Sequence, residues 1–136
     1  MSTSDHVLTL DEYFQGRERS KLYRIYFNAE VFNNAKSLIE KVNGLLKELR
    51  YPTPRISSGW RPPPYNKSIG GSRRSWHIVG RAVDLSDNGE LDILLTLRPE
   101  LLEKYGLWLE HSDYTPGWTH LDTGVRAARA VRIFKP

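Results

Sequence analysis

Chemistry concentrates in ten residues near the middle of the chain, Ser75-Trp76-His77-Ile78-Val79-Gly80-Arg81-Ala82-Val83-Asp84. His77 and Asp84 stand seven positions apart, joined by a glycine bend and a short polar-apolar alternation. The pattern offers an imidazole nitrogen from a loop and a carboxylate oxygen from the strand that follows. His120, in Gly117-Trp118-Thr119-His120-Leu121-Asp122, is a third candidate ligand far along the chain. Two histidines and one carboxylate are a ligand set for a catalytic zinc ion, with the fourth position left open for water. Asp122 shares a strand face with His120 by the period of two and is placed to orient its ring.

Composition narrows the alternatives. The chain has 136 residues and no cysteine, so neither disulfides nor thiolate metal sites are available. Any metal must be held by His, Asp or Glu. The length fits a single domain over residues 1–136, with 1–8 a loose N-terminus. Formal charge is +4 and unevenly spread. Residues 51–84 carry six basic side chains against one acidic; residues 85–122 carry two against eight; the last fourteen carry four and none. A basic surface beside an acidic one suits an anionic polymer, whether nucleic acid or bacterial cell wall. The basic stretches lack a nucleic-acid recognition motif, so no nucleic-acid partner is expected. No apolar stretch approaches spanning length, and no membrane partner is expected. Met1–His6 has no basic region followed by an apolar run. The expectation is therefore a protein without a signal peptide, made in the cytoplasm.

The elements that must position these residues are set by periodicity. Thr9-Leu10-Asp11-Glu12 has capping-box spacing and predicts a short helix to about Gln15. Residues 16–28 fit neither helix nor strand. From Asn28, a residue of N-cap type, Val31, Ala35, Leu38, Ile39, Val42, Leu45, Leu46 and Leu49 recur at three- and four-residue steps. They predict one long scaffold helix ending before Pro52. Residues 55–58 and 81–86 read as strands, and Pro62-Pro63-Pro64 as a rigid loop. Residues 65–75 form a Gly/Ser/Arg-rich loop without the Gly-Lys-Ser/Thr ending of a phosphate cradle. Residues 91–97 and 99–105 predict one broken or two short helices. Residues 107–110 and 118–122 predict a hairpin, and residues 131–134 a last strand. The sum is an α+β fold, a small antiparallel sheet packed against helices.

Ser58-Gly59-Trp60-Arg61, Asn66, Gly70-Gly71, then Ser75-x-His77-x-x-Gly80-x-Ala82-x-Asp84 and finally Trp118-x-His120 resemble, in order, the M15 zinc peptidases. These D-alanyl-D-alanine carboxypeptidases and peptidoglycan endopeptidases share their fold with the Hedgehog signalling domain. The resemblance spans about residues 9–123. It implies a Hedgehog/DD-peptidase-like fold, a zinc ion on His77, Asp84 and His120, and Arg61 steadying charge on the substrate carbonyl. Ser58, Ser75 and Trp76 are the candidate substrate-binding residues.

One position departs from the pattern. Many members place a catalytic acid three residues before the last histidine, where this chain has Gly117. Glu110 ends the strand preceding the His120 strand, and Hedgehog domains carry a glutamate there, so Glu110 is the favoured base. Asp113 is the reserve and His111 a third choice. The resemblance implies a zinc metallopeptidase acting on peptidoglycan stem peptides, and a monomer is expected. Without an export segment, it would reach the wall after release, as a phage endolysin does, or as part of a virion. The alternative is a non-catalytic, zinc-stabilised module that has lost its base.

Overall fold

The computed structural model describes residues 6–136. Helix α1 (Leu10–Phe14) starts with the expected capping box: the Thr9 hydroxyl accepts from the Glu12 N–H while a Glu12 carboxylate oxygen accepts from the Thr9 N–H. Residues 1–5 of the expected loose terminus lie outside the described residues. Leu8 corrects that expectation. It is buried, and its N–H and C=O are both paired with the Asn43 side-chain amide.

Helix α2 (Ala29–Leu49) is the scaffold. Asn28 caps it by accepting from the Val31 N–H, and seven of the eight residues of the expected stripe, Val31 to Leu46, are buried. Arg50, in the left-handed region at φ 54°, ends it two residues before Pro52. Ahead of α2 lie two short 3₁₀ turns, Arg17–Arg19 and Arg24–Tyr26.

Strands β1 (Ile56–Ser58), β2 (Ala82–Ser86), β3 (Trp108–Glu110), β4 (Trp118–Asp122) and β5 (Ile133–Phe134) form one sheet in the order β1-β2-β4-β3-β5. The first four pair antiparallel, as expected. Strand β5 runs parallel to β3, so the sheet is mixed. Strand β4 ends beside the start of β3 and β5 begins at that same end, so residues 123–132 only have to cross that end of β3 for β5 to run with it.

Side-chain alternation then divides the sheet's labour. Val83, Leu85, Leu109, Thr119 and Leu121 face inward and are buried, most of them in the hydrophobic core shared with α2. Asp84, Glu110, His120 and Asp122 occupy the alternate positions and share the other face. Helix α3 (Pro63–Ser68) occupies part of the stretch expected to be loop. Pro63 and Pro64 sit in its first turn, where a missing N–H costs nothing. Helices α4 (Glu90–Leu97) and α5 (Pro99–Tyr105) are separate, broken at Arg98-Pro99.

One buried group works against this core. Asp92 on α4 is 3% exposed, and its Oδ1 has no hydrogen-bond partner among the described residues, nor do the hydroxyls of Thr115 and Thr119. Burial, helped by the Asp87 carboxylate, pushes the Asp92 carboxyl up to about 6. A carboxyl raised on folding binds more protons in the native state, so its contribution falls as pH rises from about 4 to about 6. Asp92→Asn is therefore expected to stabilise the protein at pH 7 by about 1–3 kcal/mol, with the gain vanishing near pH 4. Urea melts of both proteins across that range check it; a loss of stability at pH 7 refutes it.

Candidate metal centre

Three short approaches bring the ligands together. Gly80, at φ 81°, ends the 3₁₀ turn Trp76–Val79, and a Cβ there would lie 2.7 Å from the Val31 carbonyl oxygen. Only glycine lets this turn, which carries His77, press against α2. Gly59 likewise lies against the Tyr13 backbone, where a Cβ would stand 1.9 Å from the carbonyl oxygen. Asp84 faces His120 directly across the β2–β4 ladder, and Glu110 follows the Leu109–Leu121 pair on β3. Two candidate ligands and the candidate base therefore form a row across three neighbouring strands.

His77, Asp84 and His120 converge so that one ligand atom from each lies within 4.8 Å of the others. His120 Nδ1 is 2.8 Å from Asp84 Oδ1, and His77 Nε2 is 3.3 Å from Asp84 Oδ2. The outer nitrogens fix the tautomers. His77 Nδ1 meets the Gly59 carbonyl at 2.8 Å, and His120 Nε2 meets Asp122 Oδ2 at 2.8 Å. A carbonyl and a carboxylate only accept, so each outer nitrogen carries the hydrogen. In the neutral rings both inward nitrogens then present lone pairs beside the Asp84 carboxylate. Two neutral imidazoles and one carboxylate suit a divalent ion that accepts nitrogen and oxygen ligands.

Charge at the cluster is finely opposed. Burial lowers His77, with Asp84 pulling the other way. Burial would also lower His120, but hydrogen bonds to Asp122 and Asp84 prevail and push it up to about 9. Burial would raise Asp84, yet its bonds to both histidines hold it well below the carboxylate range. Asp122 is fully buried and held low in the same way, with Arg126 as second partner: Nη1 donates to Oδ1 at 2.6 Å and Nη2 to Oδ2 at 3.1 Å.

The other expected site residues divide clearly. Arg61 Nε donates to the Ser58 hydroxyl at 2.9 Å and Nη2 to Asp84 Oδ2 at 3.3 Å, so its guanidinium stands beside the cluster. Ser58 thus holds Arg61. Ser75 and Trp76 line the cleft over the cluster, and the Ser75 hydroxyl accepts from the His77 backbone N–H. Glu110 Oε1 is 4.0 Å from His120 Nδ1. Burial raises its carboxyl, and the carboxylates of Asp84 and Asp122 add to the shift. Asp113 stands apart: its side chain is 77% exposed, its carboxylate lies 3.6 Å from His111 Nδ1, and it does not line the cleft.

Matching this arrangement, a family model described as peptidase M15 covers residues 15–122. The chain belongs to the peptidase M15 family. Comparison with curated proteins found no match, and comparison with solved structures found none either. His77, Asp84, His120, Arg61 and Glu110 all fall within the matched span.

Two wall residues of this M15 member lie beyond that span and were not singled out as site residues from the sequence. Phe134 on β5 meets the His120 ring edge-on at 5.9 Å, and the Arg126 guanidinium lies 4.1 Å over the Phe134 ring. An arginine four residues after Asp122 was a readable signal for the clamp. Phe134 had none, because its place depends on the parallel pairing of β5. Among the described residues, no helix is long and apolar enough to cross a membrane.

Proposed function

We propose that the protein is a zinc-dependent peptidase that hydrolyses peptide bonds in peptidoglycan stem peptides, as a cell-wall hydrolase of the endolysin or virion-associated kind. The observation that carries the reading is the pair of tethered imidazoles. Each has its outer nitrogen committed, to Gly59 and to Asp122, so that both inner nitrogens meet Asp84. A zinc ion held by His77, Asp84 and His120 would polarise the substrate carbonyl and acidify the attacking water.

The chain's own groups supply the rest. Glu110, with its raised carboxyl, takes a proton from the attacking water and returns it to the leaving amine nitrogen as the C–N bond breaks. Arg61, fixed by Ser58, offers its guanidinium to the negative charge that gathers on the carbonyl oxygen. Trp76 on one wall and Phe134 on the other narrow the cleft. A zinc-stabilised binding module is the alternative that Gly117 suggested, but it gives no role to a half-buried glutamate beside the cluster.

The test is digestion of purified peptidoglycan by zinc-loaded protein, with mass analysis of the soluble products. The expected products show either loss of terminal D-alanine or cleavage between L-alanine and D-glutamate, and chelation abolishes them. Identical product profiles with loaded and chelated protein would remove the reading.

A further inference from the structure

We propose that the segment from Lys21 to Tyr26 is a docking surface for an anionic lipid bilayer, on which the protein lies without crossing it. The inference goes beyond the peptidase reading and does not depend on it. No described helix is long and apolar enough to span a membrane. Lying on one needs something else, apolar side chains set beside cations at the surface.

Six residues there repeat one triplet, Lys21-Leu22-Tyr23 and then Arg24-Ile25-Tyr26. The Ser20 carbonyl accepts from the N–H groups of Tyr23 and Arg24, at 3.2 and 2.8 Å, and the 3₁₀ turn Arg24–Tyr26 follows directly. At three residues per turn, side chains at i and i+3 eclipse. The triplet thereby becomes three rows: two cations, two aliphatics and two tyrosines. The tyrosine row turns toward the body, where Tyr23 is half-buried and edge-on to Tyr65 of α3 at 6.1 Å. The other two rows face solvent. Phe27 pins the end of the segment, edge-on to Phe14 at 5.2 Å and to Trp60 at 5.8 Å. The surface is thus built before any partner arrives, and binding need not order it.

The chemistry of the exposed rows selects the partner. Lys21 and Arg24 make no side-chain hydrogen bond or ion pair among the described residues. Residues 16–28 carry four basic side chains against one acidic, and that one, Glu18, is paired with Arg19 at 3.2 Å. A soluble polyanion would engage the cations but leave Leu22 and Ile25 in water. A second copy of this chain would cover the aliphatics but press like charges together. An anionic bilayer answers every row. Its headgroups meet Lys21 and Arg24, its acyl boundary takes Leu22 and Ile25, and the layer between them suits the partly exposed Tyr26. Ile93 and Leu97 on α4 are exposed as well, but they share their helix with Glu90, and Arg98 beyond them is already paired with Glu100 at 3.1 Å. An anionic surface finds no free cation there.

The test is co-sedimentation of the full chain with vesicles of phosphatidylglycerol mixed into phosphatidylcholine, and of phosphatidylcholine alone. Binding is expected to the anionic vesicles and to weaken with salt. Lys21→Ser with Arg24→Ser, and separately Leu22→Ser with Ile25→Ser, should each weaken it by about tenfold or more. Arg24→Lys keeps the charge and should stay within about threefold of the parent. None of these residues lines the cleft, so melting temperature and hydrolysis of a soluble stem peptide should not change. A second readout locates the contact. The chain has no cysteine, so Ile25→Cys accepts a single polarity-sensitive dye, whose emission should shift to the blue on anionic vesicles. The same dye at Leu97→Cys or Val131→Cys, positions 73% exposed, should shift little. Equal binding to both kinds of vesicle, or to neither, overturns the proposal. So does full binding after loss of Leu22 and Ile25, the mark of a site for polyanions, and so does a shift at Val131 in place of Ile25.

Discussion

Replacing Glu110 by glutamine is expected to lower the rate of peptide hydrolysis by about 10²–10⁴-fold while the protein keeps its fold and its metal. The substitution preserves shape and removes only the site that accepts a proton. Glu110 suits that role because burial and two neighbouring carboxylates make it hold a proton more readily than a free glutamate. It stands 4.0 Å from His120, near enough to reach the cluster without replacing a ligand. Asp113→Asn is the matched control. With its side chain 77% exposed and outside the cleft, it should change the rate by less than about threefold. Rates on a soluble stem peptide and metal content by mass spectrometry check both. Equal losses in the two variants would sink the assignment of the base. Loss of metal in Glu110→Gln would make Glu110 a ligand.

That Glu110 could be singled out at all illustrates what the sequence makes legible. Alternation places Asp84, Glu110 and His120 on one face once the strands are recognised, and the strands are short apolar alternations bounded by Gly and Pro. Helix α2 was readable for the same kind of reason, a stripe whose period matches its geometry. The choice between Glu110 and Asp113 was not settled, since it depends on how the loop from His111 to Gly117 turns. The structure turns Asp113 outward onto His111.

Residues 16–28 resisted assignment for a more specific reason. Lys21-Leu22-Tyr23-Arg24-Ile25-Tyr26 repeats basic, aliphatic and tyrosine with a period of three. Neither the α-helix nor the strand has that period, but the 3₁₀ turn does, and a 3₁₀ turn covers Arg24–Tyr26. Leu22 and Ile25 consequently both face solvent, 73% and 75% exposed. Pro62-Pro63-Pro64 misled in the opposite way. Prolines stiffen loops and also open helices, and the residues after them decide between the two. The parallel β5 was beyond reach because ten residues without period, 123–132, precede it.

Removing the metal should reverse the pH dependence of stability above neutrality. In chelated protein His120 lies between Asp84 and Asp122, which push it up to about 9 against the effect of burial. An unfolded histidine titrates near 6.5, so this group favours folding by about 3 kcal/mol below that pH. The contribution is lost as pH rises through about 9. Asp92, at about 6, titrates below this window, and the tyrosines, raised above their ordinary value of 10, titrate above it. A divalent ion needs the Nδ1 lone pair, so binding must expel about one proton at neutral pH. Affinity should then improve about tenfold per pH unit up to about pH 9. The expected result is a melting temperature that falls with pH in chelated protein and a gap to the zinc-loaded form that widens. Calorimetric titration of zinc in buffers of different ionisation heat counts the protons directly. Asp122→Asn removes one of the two carboxylates that hold the imidazolium, so fewer protons should be released. It also weakens the tether on Nε2, at a cost of about 10–100-fold in zinc affinity. The variant leaves the Arg126 guanidinium without its carboxylate, so its fold must be verified by circular dichroism before titration. Proton release that is nil at pH 7 in the parent protein, or unchanged in Asp122→Asn, would mean that His120 does not face the ion as its hydrogen bonds require.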